Sequence, residues 1–509
     1  PTSFLPVGHK RLIELQLELI SSFDGMKFIT LPENFFLTKR DKKLIEISNV
    51  KIHRTNPNLS LSESILNFIN DLNLNSFSSL FLLHGDTLFK EIDFEDNLIY
   101  YGNTDSFYKW GGTDDFCFNN EIEEVTNQKS VISGYFTLNN IPLLKKELNK
   151  SDSFVLALKG YSNLIPFKVK NKNDWLDFGH SNLYYKSKRN LNVTRNFNST
   201  QIINNHIKKE SANREKIKSE YNWFKQLPEN LKMYIPAVWG FQKDEQSASY
   251  MIEFIGAATL QEKFVFGNLP DYSYYKIIDD IFAFIKKEKM YSQKKFSPLE
   301  VKKCLKDLYI NKTEERINSF LNQLKFDADR ILCIDNKNYK PLTKFKDEII
   351  NEINKFLNNL NKDHKLTIMH GDLCFSNILF DSRSNSLKFI DPRGGLNNKF
   401  DSEDNISGDF KYDIAKLGHS LVGNYDFIVS GFYSLSYDMD NYKFELDIEQ
   451  KNRDNLIEYF YDKVDLMCVP KYFIKASIAN LFLSMLPLHN EDKERQLALL
   501  INAYKFYYN

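Results

Sequence analysis

The stretch IMHGDLCFSNILFDSRSNSLKFIDPRG, residues 368 to 394, constrains this chain more than any other. It sets Asp372 on a His-Gly-Asp turn, Asn377 five residues later, and Asp391 directly after the run Leu387 to Ile390. One carboxylate suits a reacting hydroxyl, and an amide with a second carboxylate suits Mg²⁺. Phosphoryl transfer needs a metal, a positioned nucleophile and charge neutralisation rather than covalent help. The expected chemistry is that of a small-molecule kinase.

At 509 residues the chain exceeds what one hydrophobic core organises, so two or three domains are expected. Lys plus Arg and Asp plus Glu balance at 67 each, which leaves no global basic field for nucleic acid or anionic lipid. Cys117, Cys304, Cys333, Cys374 and Cys468 never form a C-x-x-C pair, so neither a disulfide framework nor a structural zinc site is expected. A reducing cytoplasm is the expected compartment. No apolar run approaches the roughly 20 residues of a membrane span, and no signal peptide opens the chain. The sequence starts at Pro1 without Met, so residues ahead of it are expected.

The opening residues read as a Pro- and Gly-punctuated loop, then Leu12, Leu15, Leu19 and Ile20 at helical spacing. A strand over Met26 to Leu31, a helix over Ile65 to Leu72 and a strand over Leu80 to Leu83 follow, the last ending at His84-Gly85-Asp86-Thr87. This alternation predicts an α/β layer with a mostly parallel sheet, and Asp86 falls where such sheets bind ligands. His84 and His180 lack a second His or Cys at ligand spacing and are expected to make local hydrogen bonds.

Several short motifs in this part occur in the order found in the sugar-nucleotidyltransferase family. LPVGHKRLIELQ resembles its L-P-V-x-G-K-P-L-I-E segment, LFLLHGDTLF its strand ending in G-D-x-L, SGYF around Gly134 its x-G-x-Y-x-F strand, and NDWLDFGHSNLY its W-x-D-x-G-x-x-x-x-Y. The resemblance implies that Asp86 and Asp177 hold a catalytic Mg²⁺, that Lys10 lies near the nucleotide loop, and that a nucleoside triphosphate (CTP, UTP or GTP) is the co-substrate. The family's Gly-rich triphosphate loop lies ahead of the matched segment, and Thr2 stands where the family has Lys. Either the chain extends upstream or the domain lacks its triphosphate clamp and serves as a non-catalytic binding module.

The polar, basic segment from Lys186 to Thr194 is the expected domain boundary. Beyond it, residues 194 to 228 read as strand, turn, strand and a helix with Ile217, Tyr221 and Phe224 on one face. Asn196, Asn198 and Ser199 are turn formers able to present backbone N–H groups to phosphate. Lys208 is the candidate phosphate-contacting lysine, with Glu220 as its ion-pair partner; Lys209 and Glu215 are the alternatives. The strand Tyr250 to Ile252 runs into Glu253, Phe254 and Gly256; the layout resembles a kinase amino-terminal lobe, and in the kinase-like families this is the hinge whose backbone bonds the adenine edge. Helical stripes are expected from Asp271 to Leu360 and again from Tyr412 to Tyr508, with the Tyr-rich YSLSYDMDNYKF either lining an acceptor pocket or lying on the surface.

LTIMHGDLCFSNILFDSRSNSLKFIDPRGG resembles the H-G-D-x-x-x-x-N and x-I-D pattern of the aminoglycoside phosphotransferase and choline kinase family, and GDFKYDIAKL its G-D-x-x-x-D-x-A. The resemblance implies that Asp372 orients and deprotonates the acceptor hydroxyl, that Asn377 and Asp391 bind Mg²⁺, and that His370 braces the loop. It also implies that Asp409 and Asp413 tie the loop structurally and that ATP is the donor. Arg393, after Asp391, either meets phosphate or pairs with Asp401, Glu403 or Asp404; Cys374 is expected to pack.

The expected architecture is therefore α/β. A nucleotidyltransferase-type mixed sheet flanked by helices spans 1–190, followed by a bilobal, protein-kinase-like α+β phosphotransferase domain with an amino-terminal lobe over 191–260 and a helical lobe over 261–509. The expected activity is bifunctional: a sugar is phosphorylated at a hydroxyl, by first choice the anomeric one, and then activated with a nucleotide for surface polysaccharide. The alternative acceptor is an amino alcohol, choline, used with CTP, which would need an aromatic cage.

Overall fold

The computed structural model describes the chain except residues 9, 76–77, 105–111, 113–115, 117, 119–128, 192–198, 204–205, 268, 292–295, 325, 361–363, 394–405 and 451–452. It divides into two compact units, Pro1–Leu191 and Asn192–Asn509.

In the first unit, the strands Leu80–Leu83, Lys129–Leu138, Leu98–Thr104 and Lys168–Asn171 lie side by side in that order. The first two pairings are antiparallel and the last is parallel, while Lys27–Pro32 and Val50–Thr55 form a separate parallel pair. The mostly parallel sheet expected from strand-helix alternation is thus corrected to a mixed one. Alternation predicts parallel neighbours only where a helix connects adjacent strands; here Leu80–Leu83 and Leu98–Thr104 both pair with Lys129–Leu138 between them.

Side chains of successive strand residues go to opposite faces, and both faces of this sheet are covered. Ile99 and Phe136 pack in one cluster with Ile65, Phe68, Leu144, Phe154 and Leu158 of the flanking helices. Tyr100 and Tyr135 pack on the other with Phe89 and Leu98. The helices begin where side chains satisfy orphan N–H groups: Ser60 and Glu63 form a reciprocal capping box, and Asn140 and Ser153 cap the next two helices.

The second unit opens with the antiparallel sheet Ser199–Ile203, His206–Ser211, Ala248–Glu253 and Val238–Lys243, in that spatial order. The helix Arg214–Gln226 follows the first hairpin and buries Ile217, Trp223 and Phe224. A helical assembly follows, in which Lys471–Met485 is buried along almost its whole length. Its neighbour Leu342–Asn358 places Phe345 on Tyr504 of the last helix with ring centroids 3.9 Å apart.

The stretches expected to be wholly helical contain a second four-stranded sheet, Lys337–Tyr339, Leu332–Ile334, Lys443–Ile448 and Tyr433–Asp438. This corrects the helical reading of that region. Phe444 and Leu446 alternate with exposed neighbours, a period of two that no helix accommodates. The turn passes through Tyr442 at φ 51°. The Tyr-rich segment is therefore a hairpin, with Tyr437 exposed.

Cys304, Cys333, Cys374 and Cys468 are free thiols, and Cys117 lies outside the described residues. Among the described residues, no single helix is long and apolar enough to cross a membrane.

Truncating a fully buried aromatic removes its burial and leaves a cavity. Phe345→Ala is expected to cost about 3–5 kcal/mol, read as a lowered urea midpoint. An unchanged midpoint would show that the Phe345–Tyr504 stack does not hold the last helix.

Candidate active site

The His-Gly-Asp turn is held from beneath by one carboxylate. Asp413, in the first turn of the helix Phe410–Leu421, accepts the His370 N–H through Oδ2 and the Gly371 N–H through Oδ1, both at 2.8 Å. Gly371 sits at φ 80°, a conformation that favours glycine. Burial, opposed by these two N–H bonds and reinforced by the charges of Asp372 and Asp409, leaves the Asp413 carboxyl raised to about 8.

His370 is fully buried, and burial pushes its imidazole down to about 4, so the ring is neutral at pH 7. Its contacts fit the tautomer in which Nε2–H donates to Ile390 O at 3.2 Å while Nδ1 accepts the Asp372 N–H at 3.3 Å. The Trp223 ring packs edge-on against it, and Trp223 Nε1 donates to Met369 O at 2.9 Å.

Asn377 and Asp391 flank a hairpin. The strands Ile378–Asp381 and Ser386–Phe389 pair with Ile378 opposite Phe389, and the Ile390 N–H donates to Asn377 O at 3.0 Å. The register alone brings the amide and the carboxylate to the same end. Asn377 Nδ2 donates to Asp372 O at 2.9 Å and to Asp372 Oδ2 at 3.1 Å, linking amide to turn. Asp391 leaves the strand at φ 55°, a region that Asp and Asn tolerate better than most residues. Asp391 Oδ1 then accepts from Lys209 Nζ at 2.9 Å, and the same ammonium donates to Glu220 Oε2 at 2.6 Å.

Lys209, not Lys208, makes this contact, which corrects the sequence expectation. In His206–Ser211 the buried side chains are Ile207, Lys209 and Ser211. Lys208 points the other way and pairs with Glu210 at 2.8 Å near the surface. Burial works against the Lys209 charge, but Asp391 and Glu220 hold its ammonium well above the usual lysine value. Glu220 shares its helix face with Ile217 and Phe224, while Glu215 pairs with Lys243 at 2.6 Å.

Lys416, which the sequence reading did not single out, binds Asp372 Oδ1 at 2.9 Å. Burial would raise the Asp372 carboxyl, but the Lys416 ammonium overrides it and holds the group down to about 2. Lys416 lies one helical turn beyond Asp413, and that spacing was the available signal. Cys374 is buried, with Sγ 3.2 Å from Ser376 Oγ, and burial pushes its thiol up to about 12.

The other candidates divide. Glu253 is committed to Ala237, its N–H donating to Ala237 O at 2.9 Å and its carboxylate accepting the Ala237 N–H at 3.0 Å. This spends the Glu253 N–H on the backbone of its own unit. Asp409 caps the helix Phe410–Leu421, binds Lys411 Nζ at 2.6 Å and accepts from Tyr309 OH at 3.1 Å. Arg393 donates its backbone N–H to His370 O at 2.9 Å. Asp401, Glu403 and Asp404 lie outside the described residues, as do Asn196 and Asn198; Ser199 pairs through its backbone opposite Glu210.

In the first unit, Asp86 and Asp177 meet over Gly179. A Cβ on that glycine would come within 2.5 Å of Asp86 Oδ2 and 3.3 Å of Asp177 Oδ1. Burial, reinforced by the Asp177 charge, raises the Asp86 carboxyl. Asp177 also accepts the Gly179 N–H at 2.6 Å and contacts His180 Nδ1 at 3.0 Å. His84 packs against Phe136 and Phe154, and burial pushes its ring down to about 4. Lys10 is exposed and pairs with Glu18 at 2.5 Å, so no carboxylate of the Asp86 site holds it.

No family model matches the chain, and no curated protein matches it. Among solved structures, the aminoglycoside phosphotransferase APH(4)-Ia is similar at 10% identity and TM-score 0.37, covering 61% of this chain and 89% of that one. A mutant aminoglycoside 2'-phosphotransferase-IIIa in complex with GDP gives 13% and 0.35, covering 62% and 89%. A fructosamine-3-kinase from Haemophilus somnus 129PT, so described as a putative one, gives 13% and 0.34, covering 61% and 87%. Likenesses of this size leave the chemistry to be read from the site itself.

Removing one partner of a buried ion pair strands the other charge. Lys209→Met is expected to destabilise the fold by about 3–5 kcal/mol through Glu220. Lys208→Met, on the surface pair, should cost less than about 1 kcal/mol. Equal urea midpoints for the two variants would show that the Lys209 contacts do not form.

Proposed function

We propose that the second unit is a kinase that transfers the terminal phosphoryl group of ATP to a hydroxyl of a small molecule. The observation that carries the reading is the convergence around one hairpin. Asn377 and Asp391 share its end, Asn377 reaches back to Asp372, and Asp391 reaches Lys209 and Glu220.

Mg²⁺ fits the donor set. It takes hard oxygen ligands and is held by one or two carboxylates together with substrate phosphates. The Asn377 NH₂ is engaged by Asp372, which leaves its carbonyl end as the metal-facing one, and the Asp391 side chain is 53% exposed. Bound there, the cation would neutralise phosphate charge.

Asp372 accepts a hydrogen bond from the acceptor hydroxyl. The acceptor oxygen forms its bond to phosphorus, the bond to the ADP oxygen breaks, and the proton passes to Asp372. A carboxylate held this acidic serves because bond cleavage runs ahead of deprotonation in a loose transition state. Lys209, between Glu220 and Asp391, meets the nucleotide phosphates, and the backbone beyond Glu253 serves the adenine edge.

For the first unit we infer a nucleotidyltransferase that converts the phosphorylated product into a nucleotide-activated precursor, with pyrophosphate released. Two carboxylates gathered over a glycine, one raised by burial and by the other's charge, support a Mg²⁺ there with CTP, UTP or GTP as co-substrate. The test is pyrophosphate release from each nucleoside triphosphate with the kinase product. Complete absence of release would leave this unit a binding module.

Asp372→Asn is expected to lower phosphoryl transfer at least about a thousandfold while MgATP binding persists; unchanged turnover would end the assignment. Because Asp372 stays ionised to about pH 2 and His370 neutral to about 4, kcat should hold level as pH falls from 7 to about 5. A limb in kcat centred above pH 6 would contradict these two groups as its determinants.

A further inference from the structure

The charges around Asp372 do not balance. On the nucleotide side Lys209 faces two carboxylates, Glu220 and Asp391. Around Asp372 the proportion reverses. The charged groups acting most strongly on Lys312 are Arg393, Arg316 and Lys416, which repel it, and Asp372, which attracts it. Arg316 likewise feels Tyr412, Arg393, Asp372 and Glu315, and the Tyr309 ring, just ahead of Lys312, packs on Tyr412, one turn ahead of Lys416, with centroids 5.6 Å apart. Lys416 already holds the Asp372 carboxylate. None of Lys312, Arg316 and Arg393 forms an ion pair with a described carboxylate.

These cations stand on a rigid support. Lys312 and Arg316 are one turn apart in the helix Lys312–Leu324, directly after the π-helical turn Asp307–Asn311. That turn is pinned by Asn480 Nδ2 donating to Tyr309 O at 2.7 Å and by Tyr309 OH donating to Asp409 at 3.1 Å. Arg316 Nη1 donates to Ser484 O at 2.9 Å, which fixes the guanidinium without neutralising it. Burial, together with the three like charges, pushes the Lys312 ammonium down to about 6. Lys312 is therefore largely uncharged in the empty protein at neutral pH, and an anion brought by a ligand would restore its proton and pair with it and with Arg316.

We propose that the acceptor carries an anionic group, a carboxylate or a phosphate monoester, beside its reactive hydroxyl, and that Lys312 and Arg316 bind that group while Asp372 holds the hydroxyl. The proposal rests on the kinase reading above and names its substrate class. An amino alcohol such as choline would place a cation among like charges, and a neutral sugar would leave Lys312 unpaired.

The test uses the full chain with MgATP and four acceptor arms: a uronic acid, a sugar monophosphate, the neutral parent sugar and an amino alcohol. One of the anionic arms should exceed the neutral parent at least about tenfold in kcat/KM, the worth of one charge-assisted hydrogen bond. Whichever anionic arm leads identifies the group. Arg316→Gln should erase that preference ratio, and Arg316→Lys should retain most of it; Lys312→Met provides a second variant should the first not fold. Equal or better use of the neutral or cationic arms, with MgATP bound, overturns the proposal alone. So does a raised KM for ATP in Arg316→Gln with the acceptor preference unchanged, which would assign these cations to the nucleotide. Failure to bind MgATP defeats the kinase reading and this proposal together.

Discussion

The Asp413 carboxylate accepting two successive backbone N–H groups is the contact on which the rest of the second unit's site depends. A buried carboxylate satisfied by main-chain donors fixes the direction of those peptide planes, not just the position of a side chain. With His370 and Gly371 so directed, the His370 ring reaches Ile390 and the Asp372 N–H at once. The turn and the hairpin thereby become one body. Asp413 contributes nothing to a reacting atom in this arrangement; it orients the peptide from which the reacting carboxylate hangs.

From that body two ionic systems run in opposite senses. Lys209 is a cation between two anions, and among the described residues Asp372 lies with Lys416, Lys312, Arg316 and Arg393. In the proposed reaction the nucleotide's phosphates meet the carboxylate-rich side, where a divalent cation would offset the charge, and the acceptor's anionic group meets the other. In that reaction the asymmetry would separate a metal-binding side from the side that receives the acceptor. The first unit repeats the carboxylate-rich theme with Asp86 and Asp177, where a glycine at Gly179 keeps the space between them open.

How much of this was legible depended on how far the chain had to travel. The hairpin that joins Asn377 to Asp391 is local, so its spacing sufficed. Glu220 was readable from its helix face with Ile217 and Phe224. Choosing Lys208 over Lys209 was an error of parity that Ile207 corrects, because an apolar strand residue marks the inward side and Lys209 follows two later. Lys416, Lys312 and Arg316 approach Asp372 through tertiary packing of helices, and no spacing rule reports that. The sheet in which Cys333 pairs with Lys443 failed for the same reason, although the alternation at Phe444 and Leu446 was visible.

The π-helical turn at Asp307–Asn311 has a consequence for how such a site changes. A π-turn holds one residue more than an α-turn, and each residue advances a helix by about 100°. Lys312 and Arg316 are therefore aimed by a length, not by their own identity alone. Loss of a single residue from that turn would rotate a different pair of side chains toward Asp372 while the His-Gly-Asp turn stayed untouched. Selectivity and catalysis are in this sense separately adjustable: one is written in the phase of a helix, the other in a carboxylate beneath a loop.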